Sequence, residues 1–186
     1  KAEQNFRKLL DISEEYAVLF MHGGATQQFS NIPMTLLQNG QQAEYLCNGI
    51  WSNKAAKEAA RFGQVSSVEM MEIDSDGNRS LKSFDDVSRI NNPIYTHYTP
   101  NETIEGLRYD AVPESKGAIV ADLSSCILSE QININDFDFI YAGAQKNIGP
   151  AGLTIVIVKK SLFDQMNFSE SPAVFNYQQQ ANNGSM

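Results

Sequence analysis

Lys146 lies in the run Tyr141-Ala142-Gly143-Ala144-Gln145-Lys146-Asn147-Ile148-Gly149-Pro150-Ala151-Gly152, which is mostly apolar or small and contains no acid. Most lysines are solvated surface groups. One held at the end of a buried strand and hemmed in by Gly and Ala loses hydration, which lowers its pKa from about 10.4 and makes the amine a competent nucleophile or base. Upstream, Asp122 directly follows the apolar run 118–121 and precedes Leu123, Ser124 and Ser125. A carboxylate at the carboxyl end of a buried strand is costly unless it closes a turn or caps a helix, pairs with a cation, or meets a ligand. A third feature is Phe20-Met21-His22-Gly23-Gly24-Ala25-Thr26-Gln27, which reads as a strand, a glycine turn and a helix start. Small residues let backbone N–H groups approach an anion, and a helix N-terminus adds about half a positive charge. Ala25 and Thr26 would supply amides and Thr26 a hydroxyl, although a tight strand-to-helix turn accounts for the same residues. The pattern is neither G-x-G-x-x-G nor G-x-x-x-x-G-K-[ST], which excludes the dinucleotide fingerprint and the P-loop.

An anion cradle, a strand-end carboxylate and a lysine meet the needs of one cofactor. Pyridoxal phosphate requires a phosphate site, an acid that keeps its pyridine nitrogen protonated as an electron sink, and a lysine that forms the Schiff base. Trp51, the one tryptophan, offers a flat apolar face that can stack on the ring or serve simply as packing.

These residues need elements to hold them. Short apolar runs predict strands at 17–20, 44–47, 65–69, 94–98, 118–121, 139–142 and 154–159, and helical spacing predicts helices over 28–37 and 52–62. Ser52 reads as the N-cap of the latter, with Gly63 just past its end. The first ten residues predict the end of an amphipathic helix, with Phe6, Leu9 and Leu10 on one face. Ser83 opens a short helix with Asp86 three residues on, a weaker form of capping box. Strands alternating with helices predict an α/β domain on a mostly parallel sheet, with functional residues at the carboxyl ends of the strands. The polar tail 178–186 reads as a loop or a frayed end.

Composition narrows the function classes. The chain carries 14 Lys+Arg against 22 Asp+Glu, a net charge of −8, and no window concentrates the basic residues that a nucleic-acid partner requires. At 42% apolar it can build a core. No apolar run approaches the roughly 20 residues needed to span a bilayer, and KAEQNFRKLL has no signal-peptide core, so no membrane partner is expected and the cytoplasm is the expected compartment. The N-x-[ST] sequons at Asn101, Asn167 and Asn183 then carry no glycosylation meaning. Cys47 and Cys126 lie far apart, without C-x-x-C spacing, and are expected to be reduced core thiols. His22 reads as a hydrogen-bonded structural residue or a pocket-lining one, and His97 as packing within a strand; no metal is expected.

The stretch Ile140 to Thr154, IYAGAQKNIGPAGLT, closely resembles the cofactor-lysine segment of the phosphoserine aminotransferase family, which belongs to the class V aminotransferases of pyridoxal-phosphate fold type I. HGGATQQFSNIP, GIWSNKAAKEAARFG, HYTPNETIEG and Asp122-Leu123-Ser124-Ser125 resemble other segments of that family in the same order. The resemblance implies a seven-stranded-type, mostly parallel sheet flanked by helices, and a homodimer with composite active sites. It implies transfer of an amino group from glutamate to 3-phosphohydroxypyruvate, giving phosphoserine and 2-oxoglutarate in serine biosynthesis. By position, Lys146 matches the Schiff-base lysine that also moves the substrate α-proton, Asp122 the acid on the pyridine nitrogen, and Trp51 the ring-stacking aromatic. Thr103 matches a threonine at the cofactor's ring side, and Ala25, Thr26 and Gln145 match phosphate-binding positions. Some branches carry arginine where this chain has Thr26, so amides and a hydroxyl are expected to hold the phosphate there. The resemblance further implies that residues 1–186 are an incomplete large domain, inactive alone, without the preceding substrate-arginine segment, the following Asn-Thr pair or the small C-terminal domain. The alternatives are a fold-type-I enzyme with another substrate, or a non-catalytic binding module that retains the fold.

Overall fold

The structure, a computed structural model, describes residues 1–38, 40–169 and 171–185. In chain order the elements are α1 (Ala2–Leu10), β1 (Tyr16–His22), α2 (Ala25–Leu36), β2 (Gln42–Cys47), α3 (Ile50–Ala59), β3 (Gln64–Glu69), β4 (Met71–Ile73), β5 (Arg79–Leu81), β6 (Tyr95–Tyr98), β7 (Asn101–Glu102), β8 (Leu107–Arg108), β9 (Ala118–Asp122), β10 (Phe139–Gly143), α4 (Ala144–Asn147), β11 (Leu153–Lys159) and α5 (Tyr177–Asn182). Seven strands form one sheet in the order β1-β11-β10-β9-β6-β2-β3. Neighbours from β10 to β3 run parallel, while β11 is antiparallel to both β10 and β1. The predicted mostly parallel α/β architecture is the one found.

Alternation along the strands divides the core between the two sheet faces. Ala17, Leu19 and Met21 of β1 join Tyr45, Tyr95, Val120, Phe139 and Tyr141 on the face covered by α2, α3 and α5. Val18, Leu46, Tyr98, Ala121, Ile140 and Ile157 face the other way, onto Phe6 and Leu10 of α1. Both cysteines are free and buried.

Several local expectations need correction. The helix expected from 28 begins at Ala25, because Gly24 is the extended N-cap. The helix expected over 52–62 is Ile50–Ala59, capped by Gly49. Ser52 lies one turn inside it, and its hydroxyl reaches back to accept from the N–H groups of Asn48 and Gly49. Gly63 is a packing residue: a Cβ there would lie 2.7 Å from Leu37 Cγ. Ser83 does cap a single 3-10 turn, Phe84–Asp86, by accepting from the Asp85 N–H. The tail is not loose. Tyr177 is fully buried edge-on to Phe139 and donates to Gln28 Oε1 at 2.6 Å, Asn176 caps α5, and Ser185 Oγ accepts from the Phe20 N–H. Tyr177, just before the tail, anchors it despite its polar composition; Met186, the last residue of the tail, lies outside the described residues. The hairpins β4-β5 and β7-β8 were too short to leave a periodic signal.

Gly117, just before β9, fixes how β9 enters the sheet beside β6. A Cβ at this position would stand 2.1 Å from the Pro93 carbonyl oxygen and 2.9 Å from the Ile94 carbonyl carbon, both backbone atoms. In the full-length protein, urea unfolding of Gly117→Ala is expected to show a loss of about 1–3 kcal/mol, the usual cost of forcing extra volume into packed structure. Gly149→Ala, with no neighbouring atom near its Cβ, should stay within about 0.5 kcal/mol.

Candidate active site

The carboxyl ends of β1, β2, β6, β9 and β10 lie along one sheet edge, and the loops and helices leaving them carry the candidate residues. Asp122 ends β9 and is 5% exposed. Ser124 donates to its Oδ1 through both backbone N–H and hydroxyl, at 2.9 and 2.5 Å. The turn-closing role and the strand-end role weighed from the sequence therefore coexist, since a carboxylate has lone pairs left for a further donor. Burial pushes the Asp122 pKa up, opposed by the Ser124 donors and the Lys146 charge. Ser124 Oγ also accepts from the Gly143 N–H at 2.9 Å, and the Leu123 N–H donates to the Tyr141 carbonyl. These bonds fasten the acid's turn to the end of β10, from which Lys146 departs.

β10 runs directly into the single turn α4, so Ala144 is buried while Gln145 and Lys146 turn outward and are exposed. The desolvation expected for Lys146 is thus not supplied by its neighbours. Gly149, Pro150, Ala151 and Gly152 are themselves exposed, and small side chains leave the lysine uncovered instead of enclosing it. Its ammonium donates to Thr103 Oγ1 at 3.3 Å and stands 4.8 Å from the Trp51 ring centroid. Lys54 is 4.7 Å from the same ring. Trp51 is partly buried, with Nε1 enclosed and without a hydrogen-bond partner among the described residues.

At the end of β1, Gly23 takes φ +88° to make the turn, and a Cβ there would collide with Gln27 Oε1. A Cβ on Gly143 would meet Gln145 Oε1 at 3.0 Å and Ala25 Cβ and N at 3.2 and 3.3 Å. Glycine at 143 therefore lets the first amide of α2 and the Gln145 side chain converge beside the lysine turn. Thr26 follows on α2, exposed. The structure brings Asp122, Lys146, Thr103 and Trp51 to one place and sets Ala25 and Gln145 next to it. His22 is exposed at the end of β1, and His97 is buried in β6.

A sequence match to aminotransferase class-V covers residues 1–182. The chain belongs to this family. It is 48% identical over 186 residues to the phosphoserine aminotransferase of Acinetobacter baumannii, and 45% identical over 188 aligned positions to that of Pseudomonas aeruginosa; each alignment covers 100% of this chain and 51% of the relative. The solved phosphoserine aminotransferase from Bacillus circulans subsp. alkalophilus aligns with a TM-score of 0.87 at 38% identity, over 98% of this chain and 50% of that one. The pyridoxal-phosphate-bound enzyme from Trichomonas vaginalis aligns with a TM-score of 0.89 at 31% identity, over 100% of this chain and 55% of that one. The chain spans about half the length of the curated relatives it matches. A ureidoglycine-glyoxylate aminotransferase from Bacillus subtilis, at 12% identity and a TM-score of 0.74, shares the fold alone.

What the sequence reading of this class-V aminotransferase chain missed is the support beneath the site. Glu102, fully buried, accepts from the Trp51 N–H at 3.2 Å and from the Ser52 N–H and hydroxyl at 2.7 Å each. Glu105 Oε1 accepts from the Ile50 N–H at 2.9 Å. Two carboxylates thus satisfy the otherwise unpaired amides at the start of α3, where the macrodipole favours negative charge. The same bonds clamp Trp51 to the loop that carries Thr103. The signal available was the pair of acids in Asn101-Glu102-Thr103-Ile104-Glu105, but their target is more than forty residues away in sequence.

Glu102→Ala strands these donors and is expected to cost roughly 2–4 kcal/mol in urea unfolding of the full-length protein, with Glu102→Gln losing less because an amide oxygen still accepts. Burial raises the Glu102 pKa against the opposing Ser52 and Trp51 donors. A raised carboxyl pKa means the group's contribution is full below its unfolded value, about 4.5, and falls as pH rises through the folded value. The stability gap between wild type and Glu102→Gln should therefore be widest in acid and narrow toward neutral pH.

Proposed function

We propose that this chain is the cofactor-binding part of a pyridoxal-phosphate-dependent phosphoserine aminotransferase. The full-length protein transfers an amino group from L-glutamate to 3-phosphohydroxypyruvate, as a cytoplasmic homodimer. The observation that carries this reading is the meeting of Asp122, Lys146, Thr103 and Trp51 at one sheet edge, in a chain 48% identical to a phosphoserine aminotransferase.

The residues fit the cofactor. A buried carboxylate with acceptor capacity to spare suits a protonated ring nitrogen, and that pairing offsets the cost of burying Asp122. The Trp51 face suits the ring, and the Thr103 hydroxyl its edge. The Ala25 and Thr26 amides, the Thr26 hydroxyl and the Gln145 side chain suit the phosphate, with no guanidinium required at that point. When bound, pyridoxal phosphate supplies the electron sink that lets an amino acid give up its α-proton.

The chain's own residues do the rest. Lys146, beside the Thr103 hydroxyl and the Trp51 ring, would supply the amine that anchors the cofactor and then move the proton between the substrate α-carbon and the cofactor. Asp122, buried at the end of β9, would keep the ring nitrogen cationic. Trp51 shields one side of the site from water, and its position depends on the Glu102 clamp.

Borohydride reduction of the full-length protein followed by peptide mapping is expected to place the pyridoxyl label on Lys146; label on another lysine contradicts the assignment. Asp122→Asn should still take the label, while kcat with glutamate and 3-phosphohydroxypyruvate falls by about 10²–10³-fold, the cost of losing one preorganised charge partner. Near-normal turnover in that variant would remove Asp122 from its role. Equal turnover of unphosphorylated hydroxypyruvate would redirect the substrate assignment.

A further inference from the structure

Beyond Tyr98 and Ala121, the last paired residues of β6 and β9, the chain leaves the sheet in two segments. One, 99–105, carries Thr103 and the Glu102 and Glu105 clamp on α3, and its Thr99 carbonyl accepts from Asn48 Nδ2 just past the end of β2. The other, the turn 122–127, carries Asp122 and is closed by the Cys126 and Ile127 N–H groups, which both donate to the Leu123 carbonyl. Packing between the two is incomplete. An open pocket of about 250 Å³ is lined by Pro100 and Tyr109 from one stretch and by Leu123, Cys126 and Phe137 from the other.

Among the described residues, three polar links join the 99–108 stretch to the segments 122–130 and 144–147. Ser125 Oγ donates to the Asn101 carbonyl at 2.9 Å and accepts from Asn101 Nδ2 at 2.8 Å, so one hydroxyl meets both the backbone and the side chain of Asn101. Lys146 Nζ donates to Thr103 Oγ1 at 3.3 Å, which joins the lysine turn to the same loop. Farther out, Arg108 pairs with Glu130 through two exposed side chains, and exposed ion pairs stabilise little.

The lysine link cannot last through the reaction. An amine that anchors the cofactor and moves a proton has to leave Thr103, whereas the Ser125 hydroxyl takes no part in either task. We propose that Asn101 and Ser125 are positioning residues: their two-bond clasp sets the spacing between the piece that bears Asp122 and Lys146 and the piece that bears Trp51 and Thr103, and keeps it while Lys146 works. This rests on the reading of the site given above. Parallel pairing of β6 with β9 fixes where both segments start. The clasp fixes them beyond that point, one residue before Glu102, whose carboxylate holds α3, and three residues after Asp122.

In the full-length protein, Ser125→Ala removes both bonds, while Asn101→Ala removes the side-chain bond and leaves the carbonyl. Ser125→Ala is expected to weaken pyridoxal phosphate binding and, at saturating cofactor, to lower kcat, each by about 10-fold, with the KM for glutamate within about two-fold of wild type. Asn101→Ala should lose about 3-fold in each, as for a single neutral hydrogen bond. The double variant should match Ser125→Ala, because the same link cannot be lost twice. Quenching of Trp51 emission by bound pyridoxal phosphate, read in each background as the difference from the same protein carrying Trp51→Phe, should fall in both single variants. A merely structural role lowers the urea midpoint and leaves the quenching and the kcat of cofactor-saturated protein unchanged; that result in either single variant overturns the proposal, as does a double variant whose loss is the product of the two single losses. Borohydride mapping of the wild type separates the two levels. Label on Lys146 with an unaltered Ser125→Ala means that only the clasp fails, whereas label elsewhere means that the cofactor assignment itself fails.

Discussion

Asp122 has its carboxylate almost wholly removed from water at the end of a central strand, and most of what surrounds the site follows from keeping it there. Burying an anion costs several kcal/mol unless donors and a cation meet it. Ser124 provides two donors from the acid's own turn, the Lys146 charge acts in the same sense, and in the proposed function a cationic ring nitrogen completes the set. The acid is therefore tolerated by the fold and best satisfied by what binds to it.

The local bonds that hold the acid also place the lysine. Ser124 accepts from Gly143, so the turn after β9 and the end of β10 move as one unit, and α4 begins at a defined height above the sheet edge. Across the site, the Glu102 and Glu105 clamp plays the same part for Trp51 and Thr103 by filling the N-terminus of α3. The residues expected to touch the cofactor thus stand on two rigid pieces. Each piece is fixed by hydrogen bonds from residues that make no contact with substrate in the proposed reaction.

Strand positions were legible from sequence because a buried parallel sheet writes itself as apolar runs, as at 118–121 and 154–159. The strand-end position of Asp122 and the glycine turn at Gly23 were legible for a related reason: both are costly choices unless a ligand or a turn requires them. Exposure of Lys146 was misread, because glycine and alanine beside a lysine describe either a tight pocket or an open shelf, and only the outward turn of α4 decides between them. The Ser52 cap was misplaced by one turn because serine at the third helical position can cap backwards. Glu102 reaching α3 and Asn101 reaching Ser125 could not be read at all, since both depend on which strands become neighbours. The fold of the tail rested on Tyr177, a single buried aromatic in a polar context.

The central claim is that Asp122 governs the protonation of the ring nitrogen of bound pyridoxal phosphate. The most direct measurement is the nitrogen-15 chemical shift of ring-labelled pyridoxal phosphate bound to the full-length protein, compared between wild type and Asp122→Asn. The account predicts a protonated ring nitrogen in wild type and an unprotonated one in the variant. The same shift in both proteins would contradict it.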